Sequence, residues 1–366
     1  MDPLRWRKVL VVQTSFLGDT ILTLPLISEI RRRFPTANIT VLCSLQAREL
    51  LAGHPDLDAV IVDDKKGVDR GLLGLWRKAR SLRGEGFTMA LSPHKSFRSG
   101  LLLALARIPF RVGFRESKGW FLFHVRVKRN SARHDVERTL SILEAFDIRA
   151  EECRRDIRLG VDPRTQEAVD QVLRSLGISG ERLVIALNPG SVWPTKRWAA
   201  DGFAKLIGLL ERKYSCEILL LGGPEDVAIV SKIRELAGST GVILAGKIAF
   251  GQLPAVLRRC NVLITNDSGP MHVAVAQGIP IVAIFCATTP SLGFYPYSGK
   301  AIVVEKELPC RPCSSHGGRR CPLGTEDCIR LIRPEDVLRA VEQLLSDDRK
   351  IGAATTECYE PQFMRV

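Results

Sequence analysis

The sequence has no apolar run of the about 20 residues that a membrane-spanning helix needs. Residues 1–13 carry basic side chains, but their apolar stretch is short and typical of a strand, not of a signal-peptide core. Neither G-x-G-x-x-G nor a Walker lysine loop occurs, which disfavours NAD binding and ATP hydrolysis. No zinc-finger or RRM signature is present, so nucleic acid is the weakest candidate partner. We therefore expect a cytoplasmic protein whose ten cysteines are mostly reduced.

Positive charge is plentiful and unevenly placed. The 366 residues carry 53 Lys and Arg against 40 Asp and Glu, a formal net charge of +13. Residues 1–160 hold 29 of these basic residues and 18 of the acidic ones, so this half has nearly all the excess. Solvated helix faces explain such an excess, and so does a surface that meets a membrane, a phosphorylated lipid or nucleic acid. Both interpretations stay open from charge alone.

Short apolar, β-branched runs alternate along the chain with helix-like stretches, which include 19–33, 72–83 and 97–107. Such alternation predicts right-handed βαβ units and parallel sheets covered by helices on both faces. The pattern restarts once, which predicts two doubly wound, Rossmann-like domains facing a central cleft, where ligands bind in open α/β folds. We predict domains over 1–165 and 180–345, a helix at 164–176 that closes the first half, and a frayed tail over 346–366. The predicted strands are 9–12, 39–43, 59–63, 88–91, 183–187, 217–221, 242–245, 262–265, 281–285 and 301–304.

Three loops of the second half follow predicted strands and carry groups that bind anions or hydroxyls. "NDSGP" (266–270) predicts a helix start with free backbone N–H groups, a site for a diphosphate, although a well-capped helix needs the same residues. "NPGSVWPTKRW" (188–198) adds the hydroxyl of Thr195 and the cation of Lys196, a natural phosphate partner. "LGGPED" (221–226) places acids where ribose hydroxyls are bound in dinucleotide folds, or where a helix dipole favours them. Together the three loops favour a nucleotide diphosphate.

These loops, with "FLGDTILTLP" (16–25), resemble in order and spacing the motifs of glycosyltransferase family 9, the ADP-heptose:lipopolysaccharide heptosyltransferases. The resemblance runs from about residue 8 to residue 345, and the "PGS…KRW" form is similar to heptosyltransferase II. It implies a GT-B fold, with an acceptor-binding first domain and an ADP-sugar-binding second domain. It also implies inverting transfer of L-glycero-D-manno-heptose from ADP-heptose to the inner core of lipid A, with no cofactor or metal required.

The resemblance implies a role for each motif residue. Asp19 matches the family's general base, which takes the proton of the acceptor hydroxyl; the alternative for this acid is a simple helix N-terminal charge. Lys196 stabilises the leaving ADP, and Glu225 holds the adenosine ribose. The full set of implied donor-binding residues is Gly18, Ser191, Thr195, Lys196, Gly223, Glu225, Asp267, Ser268, Gly269 and His272.

The acceptor side is less specific. "SPHKSFRSG" (92–100) follows a predicted strand of the basic half, and inner-core lipid A is rich in phosphate and carboxylate. We therefore expect His94, Lys95 and Arg98 to contact a phosphorylated Kdo-lipid A acceptor at the inner face of the membrane, with surface solubility as the alternative. The residues leave the exact acceptor and the oligomeric state open.

A cysteine-rich loop ends the second half with the spacing C-x2-C-x7-C-x6-C. Cys310 and Cys313 have metal-knuckle spacing, whereas Cys321 and Cys328 are too far apart for the usual closing pair. We expect reduced thiols or a disulfide-prone loop without a metal, with the four cysteines as the alternative ligands of a structural zinc or iron.

Two other functions remain open from the sequence. The chain resembles family 9 in its diphosphate-binding loops more than in any sugar-specific residue, so a different sugar-nucleotide donor or glycan acceptor is possible. A non-catalytic protein that only binds a nucleotide sugar is a third interpretation, which the presence of both Asp19 and Lys196 disfavours.

Overall fold

Two parallel β-sheets organise the chain, one in each of two compact units, Met1–Gly160 and Val161–Val366. A computed structural model describes residues 6–351 and 358–366, the side chains of 347–351 excepted. Every pairing between neighbouring strands is parallel in both sheets. No helix within the described residues combines the length and apolar character that crossing a membrane requires.

The first unit has six strands in the order β3-β2-β1-β4-β5-β6. Its central strand is completely buried from Val9 to Val12, because helices cover both faces of the sheet. The strands are β1 (Lys8–Gln13), β2 (Asn38–Cys43), β3 (Ala59–Val62), β4 (Met89–Ser92), β5 (Phe110–Phe114) and β6 (Val125–Val127). The helices are α1 (Leu17–Leu22), α2 (Leu24–Arg33), α3 (Leu45–Leu51), α4 (Gly71–Gly84), α5 (Phe97–Leu105) and α6 (Asp135–Leu140), with 3₁₀ turns at Trp120–Leu122, Ser141–Phe146 and Ala150–Glu152.

The second unit has seven strands in the order β13-β12-β11-β10-β7-β8-β9. The strands are β7 (Leu183–Asn188), β8 (Cys216–Leu220), β9 (Val242–Ile243), β10 (Val262–Asn266), β11 (Ile281–Phe285), β12 (Ala301–Glu305) and β13 (Gln362–Arg365). The helices are α7 (Pro163–Ser175), α8 (Ala200–Lys213), α9 (Val227–Leu236), α10 (Leu253–Leu257), α11 (Gly269–Gln277), α12 (Asp327–Arg330) and α13 (Pro334–Ile351). Short 3₁₀ turns lie at Pro194–Lys196, Pro224–Asp226, Phe250–Gln252 and Pro290–Leu292.

Both sheets have the same topology. In each unit the first strand lies between the second and the fourth. Successive strands are added on one side of the first strand and then, from β4 in one unit and β10 in the other, on its opposite side. Ligands of open α/β sheets bind beyond the carboxyl ends of the strands at such a switch point. The topology therefore marks one position in each unit as the place to search for function.

The structure confirms the two doubly wound sheets and corrects four details. The helix expected to close the first half is α7, which belongs to the second unit. The single helix expected over 19–33 is two helices that meet at Thr23. Strands β5 and β6 were not predicted, because their apolar residues are interrupted by arginine and glycine and form no β-branched run. The tail is not frayed over 358–366, where β13 pairs with β12; residues 352–357 lie outside the described part.

Candidate functional site

The switch point of the second unit is formed by the loops that follow β7 and β10. The Asn188 side chain donates hydrogen bonds to the hydroxyls of Thr265 and Ser268, each at 3.1 Å. In return the Asn266 amide donates to the carbonyl of Pro189 at 2.8 Å. These buried side chains hold the two loops side by side, because each amide satisfies polar groups of the neighbouring strand.

Lys196 lies at this junction with its ammonium against an acid. Its Nζ is 2.6 Å from Oδ2 of Asp267, and the same oxygen accepts a 2.6 Å hydrogen bond from the Thr288 hydroxyl. The Lys196 side chain is 15% exposed and that of Asp267 is 7% exposed. The pair fixes a cation at the strand ends where a phosphate would arrive. Thr288, at the end of β11, escaped prediction because "CATTP" has no recognisable ligand-binding pattern.

Ser191, Gly190 and Asp226 bring the loop after β8 to the same place. A Cβ added to Gly190 would lie 2.3 Å from Oδ2 of Asp226, so this close approach requires glycine. The Ser191 hydroxyl donates to the carbonyl of Asp267 at 3.3 Å. Burial raises the pKa of Asp226, whose Oδ1 is 3.6 Å from Nη2 of Arg197. The sequence had singled out Glu225, which is instead exposed at the surface.

Glu225 and Gly223 form the outer part of this loop. A Cβ added to Gly223 would lie 2.7 Å from Oε2 of Glu225, so the acid folds back over the glycine. The N–H of Gly223 donates to Asp226 Oδ2 at 3.2 Å. Glu225 is therefore an exposed carboxylate on the outer side of the loop, accessible to a ribose. Asp226 is the acid that supports the turn.

Helix α11 begins at Gly269 with Ser268 as its N-cap residue. The hydroxyl of Ser268 is occupied by Asn188 and Thr265, so it caps no backbone group of its own helix. The first-turn N–H groups of a helix have no intrahelical acceptor, which leaves this end suited to an anion.

His272 lies in the first turn of α11 and is buried. Burial lowers its pKa to about 4, with Lys196 adding to the effect and Asp267 opposing it, so the ring is neutral near pH 7. Its Nδ1 has no hydrogen-bond partner within the described residues. A buried nitrogen without a partner costs free energy, which a ligand hydroxyl could recover.

The structure gives Thr195 a different partner from the one the sequence suggested. Its hydroxyl donates to the carbonyl of Gly318 at 3.0 Å and accepts from the N–H of the same residue at 2.8 Å. The neighbouring Gly317 has a φ of +83°, and a Cβ there would lie 3.1 Å from Cγ of Lys196. Thr195 therefore holds the cysteine loop against the stem of Lys196.

An arginine anchors that loop. Arg311 is almost completely buried and donates to the carbonyls of Phe285 and Thr288 at 2.9 Å and 2.6 Å, and to the carboxylate of Glu305 at 3.1 Å. The N–H of Cys313 donates to the carbonyl of Ala287 at 3.0 Å. The loop is thereby fixed on the strand ends of β11 and β12, which explains its position beside Lys196.

The four cysteines of this loop are all free thiols. Among the described residues, no group of three or more His, Cys, Asp or Glu side chains is arranged to hold a metal ion. Burial raises the pKa of Cys328 to about 11, whereas backbone N–H groups led by that of Glu326 lower the pKa of Cys321. The charges of Cys310, Cys313 and Cys321 also act on Cys328, so the four thiols of the loop lie near one another.

At the switch point of the first unit, Asp19 occupies the first turn of α1, next to Gly18. Its Oδ2 accepts a hydrogen bond from the N–H of Phe16 at 3.1 Å, the contact expected of a helix N-terminal acid. Burial raises the pKa of Asp19 to about 6, and the charge of Asp135 raises it further, while Ser15, Phe16 and Arg129 oppose the shift. A carboxylate has about four lone-pair sites, so these bonds leave room for an incoming hydroxyl.

Asp135 is the functional neighbour that the sequence did not reveal. It is buried at the start of α6, where it pairs with Arg129 and lies 3.6 Å from Nη1 of Arg138. Helix α6 packs against α1, which brings two acids 116 positions apart in sequence (19 and 135) into one electrostatic neighbourhood. The segment "RHDVER" carried no role in the sequence analysis because such tertiary proximity leaves no local signature.

The predicted acceptor residues separate into two groups. Lys95 is exposed, and desolvation followed by the charge of Arg129 lowers its pKa. Arg129 and Asp135 act on both Lys95 and Asp19, so the two groups share these charged neighbours. His94 is half-buried, with Nδ1 3.2 Å from the Ser99 hydroxyl; burial, Lys65 and Lys95 lower its pKa to about 4. Arg98 instead turns inward.

The guanidinium of Arg98 donates to the buried carboxylate of Asp63 at 2.9 Å and to the carbonyl of Asp69 at 2.8 Å. These bonds satisfy an internal acid at the end of β3. Of the three predicted acceptor contacts, Lys95 and His94 stand at the switch point, and Arg98 supports the fold around it.

Comparisons with known proteins bear on the fold and the family of the chain. The family model of glycosyltransferase family 9 (heptosyltransferase) matches residues 75–322. Lipopolysaccharide heptosyltransferase 2 of Salmonella typhimurium is 28% identical over 358 residues, which cover 93% of this chain and 99% of that protein. A family 9 glycosyl transferase from Veillonella parvula has a TM-score of 0.83 at 26% identity, over 93% of this chain and 98% of the other.

The Escherichia coli ADP-heptose lipopolysaccharide heptosyltransferase II has a TM-score of 0.75 at 27% identity, over 93% of this chain and 99% of the other. These similarities confirm the GT-B fold class that the motifs predicted. Because the family model covers more than half of the residues, the chain belongs to glycosyltransferase family 9 (heptosyltransferase).

Proposed function

We propose that this protein transfers L-glycero-D-manno-heptose from ADP-heptose to the heptosylated inner core of lipopolysaccharide, as a heptosyltransferase of type II. The observation that carries the proposal is Asp19, a carboxyl with a pKa of about 6 at a switch point whose neighbours Lys95 and Arg129 are cations. Similarity to heptosyltransferase II in sequence and structure supports the choice of donor and acceptor.

The second unit holds the donor in this proposal. Lys196 and the backbone N–H of Ser268 and Gly269 bind the diphosphate, because a fixed ammonium and a helix start both favour an anion. When phosphate takes over the ammonium, Asp267 is released to accept hydrogen bonds from hydroxyls of the donor sugar.

Four further residues complete the donor site. His272 and Ser191 are placed beside this pair, Gly223 gives the donor close access to the backbone, and the exposed Glu225 binds the ribose.

The first unit supplies the base. Asp19 accepts the proton of the acceptor hydroxyl as that oxygen attacks the anomeric carbon of the heptose. The carbon–oxygen bond to the β-phosphate breaks at the same time, and its electron pair leaves with ADP, whose added charge Lys196 stabilises. Attack opposite the leaving group inverts the anomeric configuration. A base with a pKa of about 6 is mostly ionised at pH 7 and stronger than an ordinary carboxylate.

The charge of Lys196 is sufficient in this proposal, so transfer proceeds without a divalent cation. Lys95 and His94 contact phosphate or carboxylate groups of the Kdo-lipid A acceptor, which the protein meets at the inner face of the membrane. The four loop cysteines have no part in the reaction.

The test incubates the purified protein with ADP-heptose and Kdo-lipid A that already carries one heptose, in the presence of EDTA. Product mass and released ADP are both measured, with Asp19→Asn beside the unmodified protein. A lipid product heavier by one heptose, formed in EDTA and lost in the variant, is the expected result. ADP release without a lipid product contradicts the proposed acceptor, and no reaction despite tight ADP binding contradicts the proposed donor or transfer itself.

A further inference from the structure

Helix α4 of the first unit presents an apolar face to solvent. Its inner face is buried through Leu75, Ala79 and Leu82. On the outer face Leu72 and Leu73 are 81% and 79% exposed, and Trp76, one turn further along, is 54% exposed. Single exposed leucines are ordinary, but adjacent large apolar side chains on one helix face mark an interaction surface.

A basic groove adjoins these side chains. Helix α5 packs beside α4, and between them lies a groove of about 700 Å³ whose lining includes Trp76, Leu105, Arg80, Arg83 and Arg107. The Arg80 guanidinium lies 5.7 Å from the centre of the Trp76 ring, a cation–π arrangement. The groove therefore combines an aromatic, an aliphatic and three positively charged side chains.

The charge of this region is uncompensated. Neither α4 nor α5 contains an Asp or Glu, although together they hold five Lys and Arg. Within the described residues Arg80, Arg83 and Arg107 form no salt bridge, whereas the other two arginines and the lysine of these helices donate to carbonyl or carboxylate oxygens of the first unit. The partner that fits must be apolar where it meets Leu72 and Leu73, and anionic where it meets the arginines.

We propose that the α4–α5 surface, formed by Leu72, Leu73, Trp76, Arg80, Arg83, Leu105 and Arg107, docks on an anionic phospholipid bilayer. The leucines and the tryptophan enter the interfacial region, and the arginines bind lipid phosphates at headgroup depth. Leu72, Leu73, Trp76, Arg80 and Arg83 are all exposed and follow one another along one face of α4, so a flat bilayer surface can meet the apolar and the cationic groups together.

The apolar end of this surface lies at the sheet edge of the candidate acceptor site. Leu72, Leu73 and Trp76 are in the first turns of α4, which begins at the carboxyl edge of the parallel sheet, the edge that carries Asp19 and Lys95. Arg83, Leu105 and Arg107 lie at the opposite ends of α4 and α5. The surface deepens the proposed function, since it explains how the enzyme reaches a lipid-linked sugar. Vesicle binding itself involves neither donor nor acceptor, so it can succeed or fail independently of transfer.

The test measures co-sedimentation of the full chain with vesicles of phosphatidylcholine alone or with added phosphatidylglycerol. We expect binding only to the anionic vesicles, weakened by high salt. Substituting Arg80→Gln, Arg83→Gln and Arg107→Gln together should reduce affinity on the order of 10²-fold. Leu72→Ser with Leu73→Ser should reduce it about tenfold or more, because two exposed side chains no longer enter the interface.

Matched controls come from α9 of the second unit, where Arg234 and Leu236 are exposed. Arg234→Gln and Leu236→Ser should leave vesicle binding unchanged, and every variant should keep its unfolding temperature since the substituted side chains are at the surface. Equal binding of the groove variants and the unmodified protein would overturn the proposal. So would equal binding to neutral vesicles, or a stable dimer in sedimentation that the leucine substitutions dissociate, which would assign the surface to a second copy of the chain.

Discussion

The two units share one strand order but differ in how their switch points handle charge. In the second unit the charged groups satisfy one another: Lys196 pairs with Asp267, which also accepts from Thr288. In the first unit Asp19 forms no salt bridge within the described residues. Burial is the main cause that raises the pKa of Asp19 to about 6 and lowers the pKa of His94 to about 4.

This difference matches the different requirements of a site that binds an anion and a site that transfers a proton. A site that holds a fixed anion gains from a cation placed in advance, because little reorganisation is needed when the ligand arrives. A site that moves a proton needs a group whose pKa lies near the working pH, and burial with a like charge nearby produces such a group at a cost in stability. In the proposed function, one topology thus supports a donor site and a base through different residues at equivalent positions.

Asp19→Asn is the strongest test of the proposed division of roles between the two units. Loss of the base should lower kcat for heptose transfer by about 10²- to 10⁴-fold while the affinity for ADP stays unchanged, because ADP is bound in the other unit. Steady-state transfer and calorimetric ADP titration measure the two effects. Asp201→Asn, which also removes a first-turn helix acid, is the control. An equal loss of ADP binding in Asp19→Asn would refute the division of roles.

Lys196→Gln should weaken ADP binding, which Asp19→Asn leaves unchanged. Removing a charge-assisted contact of about 1.5–3 kcal/mol should weaken ADP binding about tenfold to a hundredfold. Lys205→Gln, which removes an exposed lysine of α8, serves as the control. Unchanged ADP affinity would contradict this prediction and would mean that the ammonium serves only the internal pair with Asp267.

Thr195→Val distinguishes the role implied by sequence from the one shown by structure. Losing the two hydrogen bonds to Gly318 should lower the free energy of unfolding by about 1–3 kcal/mol, with ADP affinity unchanged. Thermal unfolding and ADP titration of the same preparation decide between them. Weaker ADP binding at an unchanged free energy of unfolding would support a role for Thr195 in donor binding.

Features that show in a run of neighbouring residues could be predicted from the sequence, whereas features without such a run could not. Apolar runs such as 281–285 predicted strands to within a residue, since fully buried parallel strands leave continuous hydrophobic segments. The edge strand β6 escaped, because three residues with an exposed Arg126 at the centre give no such segment. The tail strand β13 escaped for the same reason, as its residues are mostly exposed.

The candidate site shows the same limit. Asp19 and Lys196 were identified because each lies in a motif next to a strand end. Their partners Asp135 and Thr288 were not, since each is brought to the site from a distant segment by packing. Motifs thus located the two groups to which we assign the chemistry, whereas the residues that set their charge required the three-dimensional arrangement.

The smallest expected effect is the stability cost of Asp19. Its pKa is higher in the folded state than the ordinary 3.8, so folding favours the protonated form and the penalty appears as pH rises from about 4 to about 6. Asp19→Asn should therefore raise the free energy of unfolding by on the order of 1–2 kcal/mol at pH 8, and change it little at pH 4. Denaturant unfolding at the two pH values measures this. A variant that is less stable at pH 8 would mean that Asp19 is mainly a helix cap.

The pH dependence of kcat for heptose transfer tests the central claim most directly, compared between the unmodified protein, Asp135→Asn and the control Glu137→Gln on the same helix. The account predicts an acid limb near pH 6, because Asp19 must be ionised to accept the proton. In Asp135→Asn that limb moves to lower pH, since a negative charge beside Asp19 is removed, and in Glu137→Gln it does not move. A rate that is independent of pH between 5 and 8, or a limb that Asp135→Asn leaves in place, would contradict the assignment of Asp19 as the base.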